Sequence, residues 1–375
     1  MSIRLSFFGD FVASKSANIS VSKRVKDIIE SSDIAVCNFE APIDGDFKAF
    51  DRDGPRVKQL AQTPSLLKGW GFNVVQLANN HMLDYGDEGC TATLKAFEGI
   101  VTVGAGSYEE AYSVKTFEVK EKKIGFISCV HHEFGVWDTK DTDQKKGTAW
   151  ICHHLIQKRI FEAKNDVDFL IVLPHAGIEE IDVPLPEWRE LYRCFIEWGA
   201  DAVVGTHPHV PQGWESYKGK PIFYSLGNFY FDFLSGQHPF WNKSLVALLE
   251  INEEGFINFD VRNVTFADNN IDEDLSDDTK SHNEYICDLL RNKYMDFVNE
   301  QSLKLWNDYN NWLTRGLGNI SFKLRFVDTL KSIYVSLFKS SQKTLLENCL
   351  QCESHRWTIL RIQKLIKKNR RHVKN

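Results

Sequence analysis

Two histidines flank a proline in GTHPHVPQG (205–213), directly after the apolar run Ala202, Val203, Val204. Four other polar clusters also close apolar runs: Gly9-Asp10 after IRLSFF, Asn38-Phe39-Glu40 after DIAVC, Asn79-Asn80-His81 after NVVQLA, and Pro174-His175-Ala176-Gly177 after VDFLIVL. Singly, each has a plain reading, with Asp10 as a helix N-cap and a lone histidine as a satisfied structural residue. Together, Asp, Glu, Asn and several His match the mixed oxygen and nitrogen ligand set of a two-metal hydrolytic centre using Mn, Fe, Zn or Mg. In an extended segment, residues i and i+2 face one way, and proline biases its predecessor toward extension. The spacing therefore predicts that His207 and His209 grip neighbouring ions, one each. A carboxylate from Glu40 or Asp10 would bridge the ions at about 3.5–4 Å separation.

The elements that must deliver these side chains alternate. Short β-rich runs (IRLSFFG, DIAVCNF, NVVQLAN, KIGFISCV, VDFLIVLPH, DAVVGTH, PIFYSLG) are separated by amphipathic stretches at Lys23 to Ser31, Pro64 to Trp70, Gly89 to Gly99, Ile151 to Asn165 and Pro186 to Trp198. Buried strands alternating with helices predict an α/β layered fold. Ligands of open α/β sheets bind outside the carboxyl ends of the strands, which is where the polar clusters fall. The stretch DNNIDEDLSDD (268–278) holds six acids without periodicity and reads as part of an acidic linker over 266–280. Beyond it, 281–375 lacks strand signals and reads as a separate helical region, including Glu284 to Trp312 and Phe322 to Phe338.

The chain's 375 residues, 43% hydrophobic with 26 Phe and 10 Trp, suffice for a large core plus an appendage. A net charge of −6 supplies no basic surface and argues against nucleic acid as a partner. The opening MSIRLSFFGDF has too short an apolar patch for a signal peptide, and eight scattered cysteines fit reduced thiols, so the expectation is a cytoplasmic protein.

The stretch GADAVVGTHPHVPQGWESYKGKPIFYSLGNFYFD (199–232), with LANNHMLDYGDEG (77–89), PHAGIEE (174–180), NFEAPI (38–43) and VGAG (103–106), resembles the CapA family of poly-gamma-glutamate capsule-synthesis proteins, within the calcineurin-like metallophosphoesterase superfamily. The resemblance runs in order over roughly 3–265 and gives a domain at 1–265. It implies a four-layer α/β/β/α sandwich with two divalent metal ions at one end. It also implies metal-activated hydroxide attack at a phosphoester in capsule or extracellular polymer production.

By resemblance, Asp10 is a metal ligand serving catalysis, Glu40 takes the bridging place, and Asn80 is the amide ligand. His175 and His207 hold one metal and His209 the other. His81 is the histidine that protonates the leaving oxygen. Asn38 and Asn228 are expected at the substrate pocket. Two departures from the superfamily stand out: Val12 occupies the place of a ligand histidine, and Glu replaces Asp at 40. They motivate an alternative, a non-catalytic assembly or export factor that binds polymer or a synthase partner on the same scaffold.

Weaker signals remain. Cys349, Cys352 and His355 have zinc-like spacing at one end only, against a plain reading as helix packing. His131-His132 and His153-His154 either border the pocket or lie on the surface. The tail HRWTILRIQKLIKKNRRHVKN has eight Lys or Arg and no acid, with Trp357, Ile359, Leu360, Ile362, Leu365 and Ile366 as an apolar face. It reads either as a packed terminal helix or as a peripheral contact with the inner membrane surface and membrane-associated capsule machinery.

Overall fold

A computed structural model describes residues 2–16, 18–52, 54–140, 143–252, 254–255, 257–306, 308–310 and 347–372. Among these, two large sheets lie face to face. The first runs in the order Ser20–Val21, Asn270–Glu273, Ile257–Ala267, Lys243–Ile251, Ile3–Val12, Ile34–Phe39, Val74–Gln76, Val101–Val103, and Asn228–Phe231 also pairs with Ile3–Val12. The second runs Trp214–Tyr217, Lys220–Phe223, Ala202–Val204, Phe169–His175, Lys122–Val130, Lys115–Val119.

The alternation of side chains along each strand builds the layers. From the first sheet, Leu5, Phe7, Val36 and Val74 point inward to meet Ile124, Phe126, Ile171, Leu173 and Val204 of the second. The alternate residues Phe8, Phe11, Cys37 and Val75 point outward onto Val25, Ile29, Leu67 and Cys90 of helices Lys23–Glu30, Thr63–Trp70 and Gly86–Ala96. On the other side, Ile127, Leu170, Val172 and Val203 meet Ile156, Ile160, Trp188, Tyr192 and Phe195 of helices His154–Ala163 and Pro186–Trp198. The result is the α/β/β/α order that the family resemblance implies, with helices continuing beyond it.

The C-terminal region departs from expectation in two ways. The stretch read as a linker contains the strand Asn270–Glu273, which pairs antiparallel with Ile257–Ala267 and buries Ile271 completely. Asp268 and Asn269 take φ of 48° and 59°, the left-handed pair of a two-residue hairpin turn that Asp and Asn tolerate well. Nor do the described residues of 281–375 stand apart as an appendage: Leu289, Leu290 and Val298 join the outer core of the second sheet, from helices Asp277–Arg291 and Tyr294–Lys304. The expected helix Glu284 to Trp312 is broken at Asn292–Lys293, where Lys293 has φ 56°, and Phe322 to Phe338 lies outside the described residues.

The tail forms the helix Glu353–His372. Ile362 is fully buried, and the Trp357 ring meets Trp188 edge-on at 4.6 Å. Arg361 Nη2 donates to both carboxylate oxygens of Glu187, at 2.6 and 2.7 Å. Much of the apolar face expected for a membrane is thus turned onto the domain, leaving Leu360 about half exposed. No helix among the described residues is long and apolar enough to cross a membrane.

Candidate metal centre

The register of the parallel strands decides which side chains meet. Asp10 stands opposite Asn38 on one neighbouring strand and Asn228 on the other. In the second sheet His175 is level with Val130 on one side and Thr206 on the other, so His131 and His207 follow at the same edge. The two carboxyl edges touch where Asn38 Nδ2 lies 2.7 Å from Asp10 Oδ1 and 3.3 Å from His175 Nδ1. Gly9 permits the approach behind Asp10, since a Cβ there would fall 1.8 Å from the Gly227 carbonyl oxygen that accepts from Asp10 N–H at 2.9 Å.

Ligand-capable atoms then fall into two overlapping groups: Glu40 with His175 and His207, and Asp10 with Glu40 and His209, the atoms of each lying within 4.8 Å of one another. Glu40 belongs to both, in keeping with a bridging position. His175 Nε2 is 3.2 Å from His207 Nδ1 and 3.0 Å from Asn80 Oδ1, which adds the amide to the first group. His209 Nδ1 lies 3.4 Å from Asp10 Oδ2 and its Nε2 3.7 Å from Glu40 Oε1. All six of these side chains are buried.

The donor set fits divalent cations. Both carboxylate oxygens of Glu40 and Oδ1 of Asn38 are buried without a hydrogen-bond partner, a costly arrangement unless a cation takes their place as partner. Burial, reinforced by Asp10 and opposed by His209, holds the Glu40 carboxyl well above the usual carboxylate range. Burial and the neighbouring imidazoles push His175 and His207 well down, into the neutral form that ligates metals. Burial also works against the charged form of His209, yet Glu40 and Asp10 outweigh it and lift that imidazole to about 10.

The local geometry of His-Pro-His differs from the extended reading. His207 has φ 100° and His209 φ 61°, so both sit in left-handed backbone rather than facing one way by strand alternation. Proline bias is overridden by tertiary contacts: His207 N–H reaches Asp10 Oδ2 at 3.3 Å, and His209 Nδ1 meets Asn228 Oδ1 at 2.9 Å. Backbone of this kind costs on the order of 1–3 kcal/mol per residue and persists where surrounding contacts over-determine it.

Other expected residues find definite places. Asn38 and Asn228 are buried rather than open to a pocket, and they hydrogen-bond Asp10 and His209 respectively, with Asn228 Nδ2 itself anchored on the Trp241 carbonyl at 2.9 Å. Val12 packs in a small apolar cluster with Ala41, Val57 and Phe231, so the Asp10 group consists of Asp10, Glu40 and His209. His81 lines a cleft of about 400 Å³ together with His207, His209, Arg52, Phe231 and Trp241. Its Nδ1 is 2.7 Å from Asp84 Oδ2.

Sequence reasoning missed the group that holds His81. Arg52 Nη1 donates to the Asn80 carbonyl at 2.8 Å and to Asp84, while Nη2 donates to Glu133 at 3.2 Å. Arg52 sits in an irregular segment with no periodic signal. Glu133 was within reach, because His131-His132-Glu133 closes the KIGFISCV strand just as the other clusters close theirs. Of the remaining histidines, His153 accepts from Leu155 N–H at 3.2 Å as the cap of its helix, outside this centre.

Residues 5–233 match the family of the bacterial capsule synthesis protein PGA_cap. The chain belongs to this family. It is 33% identical over 225 residues to the capsule biosynthesis protein CapA of Bacillus anthracis, a match covering 56% of this chain and 54% of that protein. It is also 33% identical over 220 residues to the PGA biosynthesis protein CapA of Bacillus subtilis, covering 57% of each. The matched segment thus spans little more than half the length of these relatives. Among solved structures, the 5′-nucleotidase of Candida albicans is similar over 78% of this chain and 58% of its own, at 10% identity and a TM-score of 0.40. The NAD nucleotidase NadN of Haemophilus influenzae is similar over 76% and 62%, at 13% identity and a TM-score of 0.38.

Proposed function

We propose that this PGA_cap-family chain is a metal-dependent phosphoesterase acting in the production of a capsule or other extracellular polymer. The observation that carries this reading is the buried Glu40 carboxylate, orphaned at both oxygens and common to two groups of ligand atoms. Asp10, Glu40 and His209 would hold one divalent cation, and Glu40, Asn80, His175 and His207 the other. A bound pair supplies Lewis-acid activation for hydrolysis of a phosphoester.

The chain's own residues do the rest. Asn38 and Asn228 keep Asp10 and His209 turned to the centre, and Thr206 Oγ1 steadies His175 Nδ1 at 2.9 Å. Asp84 takes the Nδ1 side of His81, leaving Nε2 for the cleft, from which it delivers a proton to the leaving oxygen. Phe231, Phe233 and Trp241 give the cleft an apolar wall that excludes water from one side. A small phosphoester fits the cleft of about 400 Å³, as does one end of a polymer.

The test is hydrolysis of an aryl phosphate by the Mn2+- or Zn2+-loaded protein. The His207→Ala, His209→Ala double variant should lose metal and turnover together, and His81→Ala should keep its metal while turnover falls roughly 10²–10⁴-fold. Full activity in the double variant overturns the reading. A second reading is favoured by Val12, whose apolar packing leaves the Asp10 group short of one expected ligand: a metal-bound scaffold that binds polymer or a synthase without turnover. Metal binding with no hydrolysis across a panel of phosphoesters selects it.

A further inference from the structure

We infer that His131, Glu133 and Cys352 form a third cation site, for a single zinc-type ion, that fastens the C-terminal helix to the catalytic domain. The three offer one ligand atom each within 4.8 Å of one another. They come from two places far apart in the chain: the loop leaving strand Lys122–Val130, and the residue just ahead of helix Glu353–His372. None belongs to the Asp10–His209 centre, and Cys352 lies beyond the family's matched residues 5–233.

The surroundings are those of a built ligand set. His131 is 1% exposed and Cys352 fully buried. Cys352 Sγ lies 3.9 Å from His131 Nδ1, and Ser354 Oγ lies 3.2 Å from the same nitrogen, itself accepting from Trp188 Nε1 at 2.9 Å. A metal-bound imidazole is commonly steadied through its other ring nitrogen in this way. His131 Nε2 has no hydrogen bond, and its nearest acid is Glu133 Oε1 at 3.3 Å. Glu133 Oε2 is held by Arg52 and Asn80, so its Oε1 is the oxygen left for an ion.

Nitrogen, oxygen and sulfur ligands together suit Zn2+ or another borderline cation rather than Mg2+ or Ca2+. Ligand atoms around a tetrahedral zinc stand roughly 3.5 Å apart, so the trio closes slightly on the ion. Three protein ligands leave a fourth position toward the cleft that His131 and Glu133 line. Because the His131 ring lies 4.4 Å from that of His207, the ion also fixes the flank of the main centre.

The experiment uses the full chain produced with Co2+ in place of zinc. A bound thiolate gives an intense near-ultraviolet sulfur-to-cobalt absorption that nitrogen and oxygen ligands do not. The wild-type protein and the Cys349→Ser variant should show it. Cys352→Ser should lose it together with one equivalent of metal per chain, while the His207→Ala, His209→Ala double variant keeps it. Should Cys352→Ser prove unfolded by circular dichroism, His131→Gln serves in its place, losing one equivalent while leaving a folded chain. A cobalt protein without the sulfur band, or a band and metal content unchanged in Cys352→Ser, overturns the inference.

Discussion

Glu40 and Glu353 are both buried carboxylates, at 0% and 1% exposure, yet they sit in opposite circumstances. Glu353, at the start of the C-terminal helix, accepts from Trp150 Nε1 at 2.6 Å and from His132 N–H at 2.7 Å, so each oxygen has a donor. Glu40, at the strand-end edge, has a donor on neither oxygen, and the groups that approach it are Asp10 and the imidazoles of His175 and His209. A buried acid supplied with donors is an anchor between parts of the fold. One left without them, beside a second carboxylate and two imidazoles, fits a seat for a cation.

The largest effect that would sharpen this contrast comes from Arg52, the buried cation between the two regions. Arg52→Ala leaves Asp84 and Glu133 buried without their counter-charge and should cost about 3–5 kcal/mol in denaturant unfolding. A smaller loss would mean that His81 and Asn80 already satisfy those acids.

Next in size is the pair of carboxamide substitutions. Glu353→Gln should lose roughly 1–3 kcal/mol with or without metal, because one of two donors is left facing an amide N–H2. Glu40→Gln in chelator-treated protein should cost less than that, since neither Glu40 oxygen has a hydrogen-bond donor to lose, and should abolish metal-induced stabilisation. Equal destabilisation by the two variants, measured by thermal unfolding of the stripped protein, would break the comparison.

The smallest effect tests the join between the last hairpin and the helices. Burial works to raise the Asp274 carboxyl, but Lys243 at 2.7 Å and the hydroxyls of Thr279 and Ser276 outweigh it and hold it well below the ordinary carboxylate range. Asp274 therefore binds its proton more weakly folded than unfolded. Its contribution is present above the unfolded value of about 4 and is lost as pH falls through the folded one. Asp274→Asn should cost about 1–2 kcal/mol at neutral pH, with the difference from wild type shrinking as the pH is taken below about 4. A difference independent of pH contradicts the ion pair's role.

How much was legible follows the range of the interactions. The strand ends could be read because an apolar run of five to seven residues and the polar residue closing it are neighbours in sequence, and parallel register then aligns the ends. Asn270–Glu273 escaped because its acids lie at a sheet margin and mask the one buried position, Ile271, although Asp268-Asn269 was a turn signal. The bend at His207 and His209 was not legible, since the contacts that impose left-handed backbone come from Asp10 and Asn228. The meeting of His131 with Cys352, 221 residues apart, depends on where the C-terminal helix docks, and no local pattern encodes that.

The central claim is that Glu40 bridges two cations at the meeting of the two sheet edges. Electron paramagnetic resonance of the Mn2+-loaded Cys352→Ser variant, which keeps every residue of the two main-centre groups, tests it most directly. The account predicts the signal of a magnetically coupled manganese pair, absent when Glu40→Gln is added. Isolated, uncoupled Mn2+ in both proteins, or no bound Mn2+ in either, would contradict it.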